Sequence, residues 1–329
     1  MYRTSDIDTR VELPTHRVDI DTEMRVYTNG RVNNYGVTLR HLTNRNENIR
    51  YSSFDYQLAN NNQNYTFGWY LDGLENITIK HNLPIYSRYA ISEVNFKDLS
   101  PSTLVIVKPS HPYVGSGEEI IIGRFDEVVI PEPVFDRGHL KRYIVQPLLM
   151  ATRLWNGRRF DLRLYSAIYA TENRFGRRIE AFKCSYGLAR ICVNPVDYTD
   201  PKTLLTNISI QEKIEGYDVN SNLKTVYDDS SIVQNIMKDI LDRMKGRLIP
   251  DRRHHLVLLG LDVVLLEDGG YRLIEVNQNP YVDYNLINGH SCQVIYDRMV
   301  RPLFQTILPH IIVYNRLVET DTWTLVDWR

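Results

Sequence analysis

One apolar segment constrains the fold more than any other part of the chain. Residues 256–279 read LVLLGLDVVLLEDGGYRLIEVNQN, with two aliphatic, β-branched runs on either side of Asp268 and Gly269. An Asp-Gly pair between such runs is a strong signal for a two-residue type I′ turn. The sequence therefore predicts two antiparallel strands that meet at this turn.

The turn also predicts which residues of the two strands face each other. Counting outward gives three pairs: Glu267 with Gly270, Val264 with Leu273, and Asp262 with Glu275. The last pair places two like charges side by side among apolar neighbours. Cross-strand like charges are destabilising, and a buried carboxylate without a partner loses its hydration or becomes protonated. A compensating cation is expected at this point.

The residue types around the predicted pair indicate a magnesium site. Asn277 lies two residues beyond Glu275 and therefore on the same strand face, so its amide oxygen joins the carboxylates of Glu275 and Asp262. Hard oxygen ligands of this kind suit Mg²⁺, which proteins commonly share with nucleotide phosphates. The pattern points to ATP chemistry. The alternative is an acidic hairpin at a sheet edge, solvated or paired with arginine.

Composition limits the class of protein. The chain has 329 residues, 43% of them hydrophobic, and a net charge of −1, which is enough for two or three subdomains around a sizeable core. Three cysteines without metal-ligand spacing favour reduced thiols. No signal peptide, membrane span or basic nucleic-acid platform is evident. We expect a cytoplasmic protein that binds neither membrane nor nucleic acid.

Several spaced motifs in one order carry a resemblance to a known family. The chain contains RFDLR at residues 159–163, LAR at 188–190, LTN at 205–207 and, after Asp262, IEVNQNP at 274–280. This order resembles the tubulin tyrosine ligase-like branch of the ATP-grasp ligases, over roughly residues 104–308. The resemblance implies an α/β (α+β) ATP-grasp fold, with a nucleotide cleft between a central and a C-terminal subdomain and a small N-terminal subdomain.

The implied division of the chain has three parts. Residues 1–65 would form the N-terminal subdomain, with a possible role in substrate recognition. Residues 66–144 would form the central ATP-grasp subdomain, which contains predicted strands at 104–108 and 119–123. Residues 145–329 would form the C-terminal subdomain with the metal and catalytic residues. Apolar periodicity predicts a helix at 232–245, capped by Ser230, and a second helix at 292–308 that Pro302 should kink or split.

The loop between the two predicted strands of the central part is suited to phosphate. Gly115 and Gly117 would allow backbone N–H groups to approach an anion closely, although an ordinary hairpin loop is the better explanation of them when taken alone. The resemblance implies that Lys108 binds the α- and β-phosphates. It also implies that a hinge presents backbone groups to adenine, at Lys141, Tyr143 and Ile144.

Three charged residues alternate along the RFDLR strand. Arg159, Asp161 and Arg163 share one face, where guanidinium groups could hold carboxylate or phosphate with paired hydrogen bonds. A solvated strand face is the alternative from the residues alone. The resemblance implies that Arg159 and Asp161 help to bind the nucleotide, with Arg159 near its sugar. It places Arg163 and Arg190 at the γ-phosphate and the acceptor carboxylate.

The resemblance further implies a reaction. Glu275 would be both catalytic and a metal ligand, and Asn207 would contact the reacting groups or support the metal site. With ATP and Mg²⁺, a substrate carboxylate would become an acyl phosphate, and an amine would then displace phosphate to form an amide. The expected partners are an amino-acid donor and a protein acceptor such as a tubulin tail.

Two other functions stay open at this level. An ATP-grasp ligase could instead join small peptides or amino acids. A catalytically silent relative that binds a nucleotide or a protein is the third possibility, because the chain departs from the family pattern at Val114, Lys141 and Tyr186.

Overall fold

A computed structural model of the chain describes its central and C-terminal parts most fully. The described residues are 24–29, 49–54, 67–68, 71–110, 119–136, 139–174, 176–227, 231–250, 254–278, 280, 289–308, 310–311 and 315–328. Mixed α and β structure, with mostly antiparallel sheets, agrees with the predicted α+β class.

The described strands and helices follow the chain in a β-rich order. The strands are β1 Met24–Asn29, β2 Ile49–Phe54, β3 Phe67–Gly68, β4 Leu104–Pro109, β5 Ile121–Arg124, β6 Val134–Asp136, β7 His139–Lys141, β8 Tyr143–Pro147, β9 Leu154–Trp155, β10 Arg158–Asn173, β11 Gly176–Ile191, β12 Leu223–Tyr227, β13 His254–Leu265, β14 Tyr271–Gln278 and β15 Trp323–Leu325. The α-helices are α1 Glu75–Thr78, α2 Leu83–Tyr86, α3 Ile208–Gln211, α4 Val219–Asn222, α5 Ile232–Met244 and α6 His290–Ile295.

Two sheets build the part of the molecule that matters for the site. In the described part of the chain, the larger sheet has the order β12-β11-β10-β13-β3-β1-β2, with β14 also paired to β13, β15 to β11 and β9 to β10. The smaller sheet has the order β5-β4-β8, and β6 and β7 form a separate hairpin. The long antiparallel strands β10, β11 and β13 are the centre of the larger sheet.

Strand β13 is buried on both faces because two helical layers cover it. Leu256 and Leu258 pack in one core with α6, whereas Val257, Leu259 and Leu261 pack in the other core with α5. The period-two alternation of a strand therefore divides its side chains between two cores. Asp262 continues the face of Leu256 and Leu258, beyond the region that α6 covers.

The β13–β14 hairpin confirms the pairing of Asp262 with Glu275 but corrects the turn. The amide of Gly269 donates to the carbonyl of Leu266, and the amide of Leu266 donates to the carbonyl of Gly270. Among residues 266–270, only Gly269 has a left-handed φ, of +88°, so the connection is a type I turn with a three-residue loop and not a type I′ turn.

A second irregularity restores the predicted register at the carboxylates. Near the turn, Val264 faces Arg272 and not the predicted Leu273. The register shifts by one residue at Ile274, and beyond this β-bulge Asp262 faces Glu275. Leu273 and Val276 both pack in the core shared with α5, although an unbroken strand would place them on opposite faces. The bulge therefore turns Glu275 away from that core.

The two predicted helices are present with local differences. α5 matches the predicted 232–245 segment, while the predicted cap Ser230 lies outside the described residues and Ser231 makes no side-chain cap hydrogen bond. The segment after α6 continues as π-helical turns at Tyr296–Val300 and Leu303–Ile307. These wider turns flank Pro302, so the helix accommodates the missing N–H without splitting.

We predict that Gly73→Ala destabilises the fold because the backbone there requires glycine. Gly73 has φ +90°, and an added Cβ would lie 2.2 Å from the carbonyl oxygen of Arg247. The left-handed conformation and the overlap together should lower the free energy of unfolding by at least about 2 kcal/mol in urea denaturation. Gly246→Ala is the control, since an added Cβ meets nothing within 4 Å. Equal stability of the two variants would contradict the prediction.

Candidate active site

A cleft between the smaller sheet and the larger sheet gathers most of the predicted site residues. Its apolar wall includes Ile106 of β4, Val264 of β13 and Ile274 of β14. Its polar lining consists of Lys80, Lys108, Gln146, Arg159, Asp161, Arg190, Thr206, Asn207, Asp262, Glu275 and Asn277.

Strand register places charged side chains from three strands in one row, with two carboxylates at its centre. Arg163 on β10 faces Asp262 on β13, and Asp262 faces Glu275 on β14. Lys80, from the turn after α1, continues the row because its Nζ lies 3.1 Å from Oε2 of Glu275. The two carboxylates therefore have a cation on each side.

Asp262 is held by two arginines. The guanidinium of Arg163 donates from Nε to Oδ1 and, at 2.9 Å, from Nη2 to Oδ2; Arg190 donates to Oδ2 at 2.9 Å. Gly260 leaves room for this contact, since a Cβ there would lie 3.0 Å from Cδ of Arg163. Asp262 is only 2% exposed. Burial raises the pKa of its carboxyl group, and the two guanidinium groups oppose that shift.

Arg190 links this carboxylate to a second one. Its Nε donates to Oδ1 of Asp161 at 2.7 Å, and its Nη2 donates to Oδ2 at 2.5 Å. The hydroxyl of Thr206 also donates to Oδ2 of Asp161, at 2.6 Å. Burial would lower the pKa of Arg190, but Asp161 and Asp262 hold it well above its ordinary value. The guanidinium is a fixed positive charge at the centre of the site.

Glu275 is kept ionised by lysines. Burial would raise its pKa, but Lys80 and Lys108 hold the pKa well below the ordinary value for glutamate. Asn277 adds a hydrogen bond from Nδ2 to Oε1 of Glu275 at 3.1 Å. Lys108 is 4% exposed, and burial lowers its pKa to about 8 although Glu275 opposes the shift.

The donor set fits a hard divalent cation. Asp262 and Glu275 supply carboxylate oxygens from facing positions. Asn277 directs its Nδ2 toward both carboxylates, so the predicted amide oxygen would face a metal only after rotation of the amide group. Within the described residues, no group of three or more His, Cys, Asp or Glu could hold a metal ion, so the amide is needed to complete a protein-derived set of three. Lys80 and the two arginines neutralise the carboxylates in this arrangement, and a metal would take over part of that role.

Other predicted site residues lie in the cleft lining without touching the row of charges. Asn207 lines the cleft directly before α3. Arg159 donates from Nη1 to the carbonyl of Leu149 at 3.0 Å, and burial lowers its pKa. Arg163 does not line the cleft, but its guanidinium donates to Asp262, which does.

The predicted hinge residues stand apart from the lining. Lys141, Tyr143 and Ile144 do not line the cleft. The ammonium group of Lys141 bonds instead to Oε1 of Glu119 at 2.5 Å and lies over the Tyr143 ring. The predicted loop residues Val114, Gly115 and Gly117 lie outside the described residues.

Three residues of the cleft were absent from the sequence-based prediction. Lys80 follows LENITI at residues 74–79, a mixed segment without a motif that marks a binding site. Thr206 is the middle residue of the LTN motif, and its hydroxyl donates to Asp161. Gln146 lies opposite Ile106 on the neighbouring strand, donates from Nε2 to the carbonyl of Ile91 at 2.5 Å, and has a buried Oε1 without a hydrogen bond. Strand alternation from Ile144 would have placed Gln146 on the same face.

Comparison with known proteins shows the family of this chain. The sequence model of the tubulin-tyrosine ligase family matches residues 39–240, more than half of the chain. The chain belongs to the tubulin-tyrosine ligase family. Membership implies ATP-dependent ligase activity in general and suggests an ATP-grasp-like fold. No curated protein matches the sequence at a significant level.

The family match and the earlier resemblance cover different ranges. The match begins before residue 104, so it includes Lys80, and it ends before Asp262, Glu275 and Asn277. Those three residues join the matched part of the site through strand pairing, because β13 lies beside β10. In the described part of this family member, no helix combines the length and apolarity needed to cross a membrane.

We predict that Arg190→Leu strongly destabilises the protein. The substitution leaves the buried carboxylates of Asp161 and Asp262 without a shared cation, a change that typically costs about 3–5 kcal/mol. Urea denaturation would measure the loss. Arg124→Ala is the control, because that arginine pairs with Asp126 at an exposed position and its loss should leave stability unchanged. A stable Arg190→Leu protein would show that the network adds little to folding.

Proposed function

We propose that this protein binds ATP with Mg²⁺ in the cleft and uses it to form an amide bond between a carboxylate and an amine. The observation that carries the proposal is the pairing of buried Asp262 with half-buried Glu275, neutralised by lysines and arginines, at a cleft in a member of a ligase family. Five cationic side chains line or support the cleft against three carboxylates, Asp161 included. That excess suits a polyphosphate.

Each end of the cleft suits a different part of ATP. Lys108 and Arg190 would meet the phosphates, while Ile106, Val264 and Ile274 offer apolar surface to the base. In the same proposal, Arg159, Asp161 and Asn207 help to position the nucleotide. Backbone groups at Gly115, Gly117, Lys141, Tyr143 and Ile144 would complete its binding.

The metal would be held by Asp262, Glu275 and Asn277. When bound, Mg²⁺ neutralises phosphate charge and orients the β- and γ-phosphates. The lysines and arginines that now contact these carboxylates would then be free to contact phosphate oxygens. The phosphate oxygens would therefore replace the carboxylates as partners of these cations.

The protein's own side chains would stabilise the reacting groups. Arg163 and Arg190 would hold the substrate carboxylate and the transferring phosphoryl group. The carboxylate oxygen attacks the γ-phosphorus, the bond to ADP breaks, and an acyl phosphate forms. The amine nitrogen then attacks the acyl carbon, phosphate leaves, and the amine loses a proton. The products are an amide, ADP and phosphate.

The proposed substrates are an amino acid and a protein chain with an accessible carboxylate or amine, such as a tubulin tail. The proposal includes a recognition role for residues 1–65, beside a central part at 66–144 and a C-terminal part at 145–329. Family membership supports a ligase reaction, whereas the acceptor is inferred from the resemblance alone. A ligase for small peptides and a silent relative are the competing outcomes of the test below.

The decisive assay measures Mg²⁺-dependent ADP release by the purified chain, with tubulin and each of the twenty amino acids offered separately. Glu275→Gln is the control, because it keeps the shape of the side chain and removes its charge. Turnover that needs both tubulin and one amino acid, and is lost in Glu275→Gln, is the expected result. Release with amino acids alone would favour the small-molecule ligase, and ATP binding without turnover would favour the silent relative.

We also predict that the affinity for ATP and for ADP falls as pH rises through about 8. Burial lowers the pKa of Lys108 to about 8, so its ammonium group is largely charged below that pH and neutral above it. Phosphate binding needs the charged form, and each further pH unit should weaken binding up to roughly tenfold. Calorimetric titration with ADP from pH 7 to 9.5 would measure this. Lys108→Arg should remove the pH dependence of the affinity, since a guanidinium group stays charged over this range. If the affinity of this variant still falls with pH, a group other than Lys108 causes the dependence.

A further inference from the structure

Lys80 reaches the site from a segment with little stability of its own. It follows α1, a helix of only four residues, and isolated helices of this length are unstable in water. Its ammonium group nevertheless lies 3.1 Å from Glu275, a residue of the larger sheet. Contacts from another part of the chain must therefore hold this turn in place.

Leu74 and Ile77 anchor α1 in the core shared with α5, and Ser110, at the end of β4, supplies hydrogen bonds to the turn that follows α1. Its carbonyl oxygen accepts a hydrogen bond from the amide of Lys80 at 3.0 Å, and its hydroxyl lies 2.5 Å from Nδ1 of His81. Its own amide donates to the carbonyl of Arg142 at 2.7 Å, next to β8. Ser110 is 2% exposed, so all three contacts are made away from water. One serine thus joins three separate segments.

The same serine is close in sequence to the second lysine of the site. Lys108 lies two residues before Ser110 on β4, and Lys108 and Lys80 are the two cations that most strongly favour the ionised form of Glu275. A displacement of Ser110 would move both lysines relative to Glu275. Ser110 holds the Lys80 turn through its backbone carbonyl and, by the hydrogen bond with His81, through its side chain.

We infer that His81 and Ser110 are positioning residues that together hold Lys80 and Lys108 in the geometry that binds the phosphates of a nucleotide. The inference rests on the proposed function, because it takes the ligand to be a nucleoside polyphosphate. Neither side chain needs to touch the ligand. Their effect is transmitted through the placement of the two lysines.

The electrostatics of His81 suit this role. Burial and the nearby Arg142 lower the pKa of the imidazole, while Glu93 opposes them. The ring is therefore neutral at physiological pH, and its hydrogen bond to Ser110 adds no positive charge beside Lys80. Arg142 itself pairs with Glu93 at 3.0 Å.

The test compares a ligand that has phosphates with one that lacks them. In the full chain, His81→Ala and Ser110→Ala should each weaken ADP binding roughly tenfold, the effect typical of one hydrogen bond lost between a displaced lysine and a charged phosphate. Adenosine binding should stay within twofold of the wild type. Calorimetric or fluorescence titration measures both. A purely structural role would weaken the two ligands by the same factor.

Two controls sharpen the result. His81→Asn places an amide near the position of Nδ1, so it can keep the bond to Ser110 and should restore most of the ADP affinity. Ser100→Ala removes an exposed hydroxyl that contacts only Ser102 and Thr103, and should change neither affinity. The double variant of His81→Ala and Ser110→Ala should lose no more than either single variant, because both remove the same hydrogen bond.

Different failures have different meanings. A wild-type chain that binds adenosine and ADP equally, or binds neither, would contradict the proposed function itself. A wild type that prefers ADP, with variants that keep the same preference, would overturn only the positioning role. Additive losses in the double variant would likewise show that the two residues do not act through one bond.

Discussion

The pairing of a buried and a half-buried carboxylate on neighbouring strands is the constraint on which the rest of the site depends. Asp262 and Glu275 face each other on β13 and β14, where like charges repel and the burial of Asp262 keeps water from its carboxylate. Four cationic side chains from four different segments compensate for them: Lys80, Lys108, Arg163 and Arg190. The arrangement of those segments around the cleft follows from this need for charge neutralisation.

The β-bulge at Ile274 reconciles this polar site with the core beneath it. Strand β14 must bury Leu273 and Val276 against α5 and still direct Glu275 into the cleft, and an unbroken period of two does not allow all three. One extra residue changes the face of the strand between Leu273 and Glu275. The core and the site are therefore built from adjacent residues of one strand, without a conflict between apolar packing and charge.

A ligand would enter a network whose charges already have partners. Asp262 accepts hydrogen bonds from Arg163 and Arg190, and Glu275 pairs with Lys80. A cation that binds these carboxylates must displace positive charges, and a polyphosphate offers those charges new partners. Binding of metal and of phosphate should therefore favour each other, as linkage requires of two ligands that share such a network. The bond between Ser110 and His81 limits how far the two lysines move during this exchange.

Local periodicity and turn chemistry act over a few residues, so the amino-acid sequence was sufficient to predict several local features. These are the strands of the β13–β14 hairpin, the pairing of Asp262 with Glu275, helix α5 and the common face of Arg159, Asp161 and Arg163. The sequence predicted the wrong turn around Gly269 and the wrong partner for Val264, since a type I turn and a bulge offset each other before the carboxylates. The position of Lys80, Thr206 and Gln146 in the cleft follows from tertiary packing. The same is true of the contact between Lys141 and Glu119. Those contacts join segments that are distant in sequence, and their geometry depends on how two sheets pack and on which charges must be neutralised where they meet.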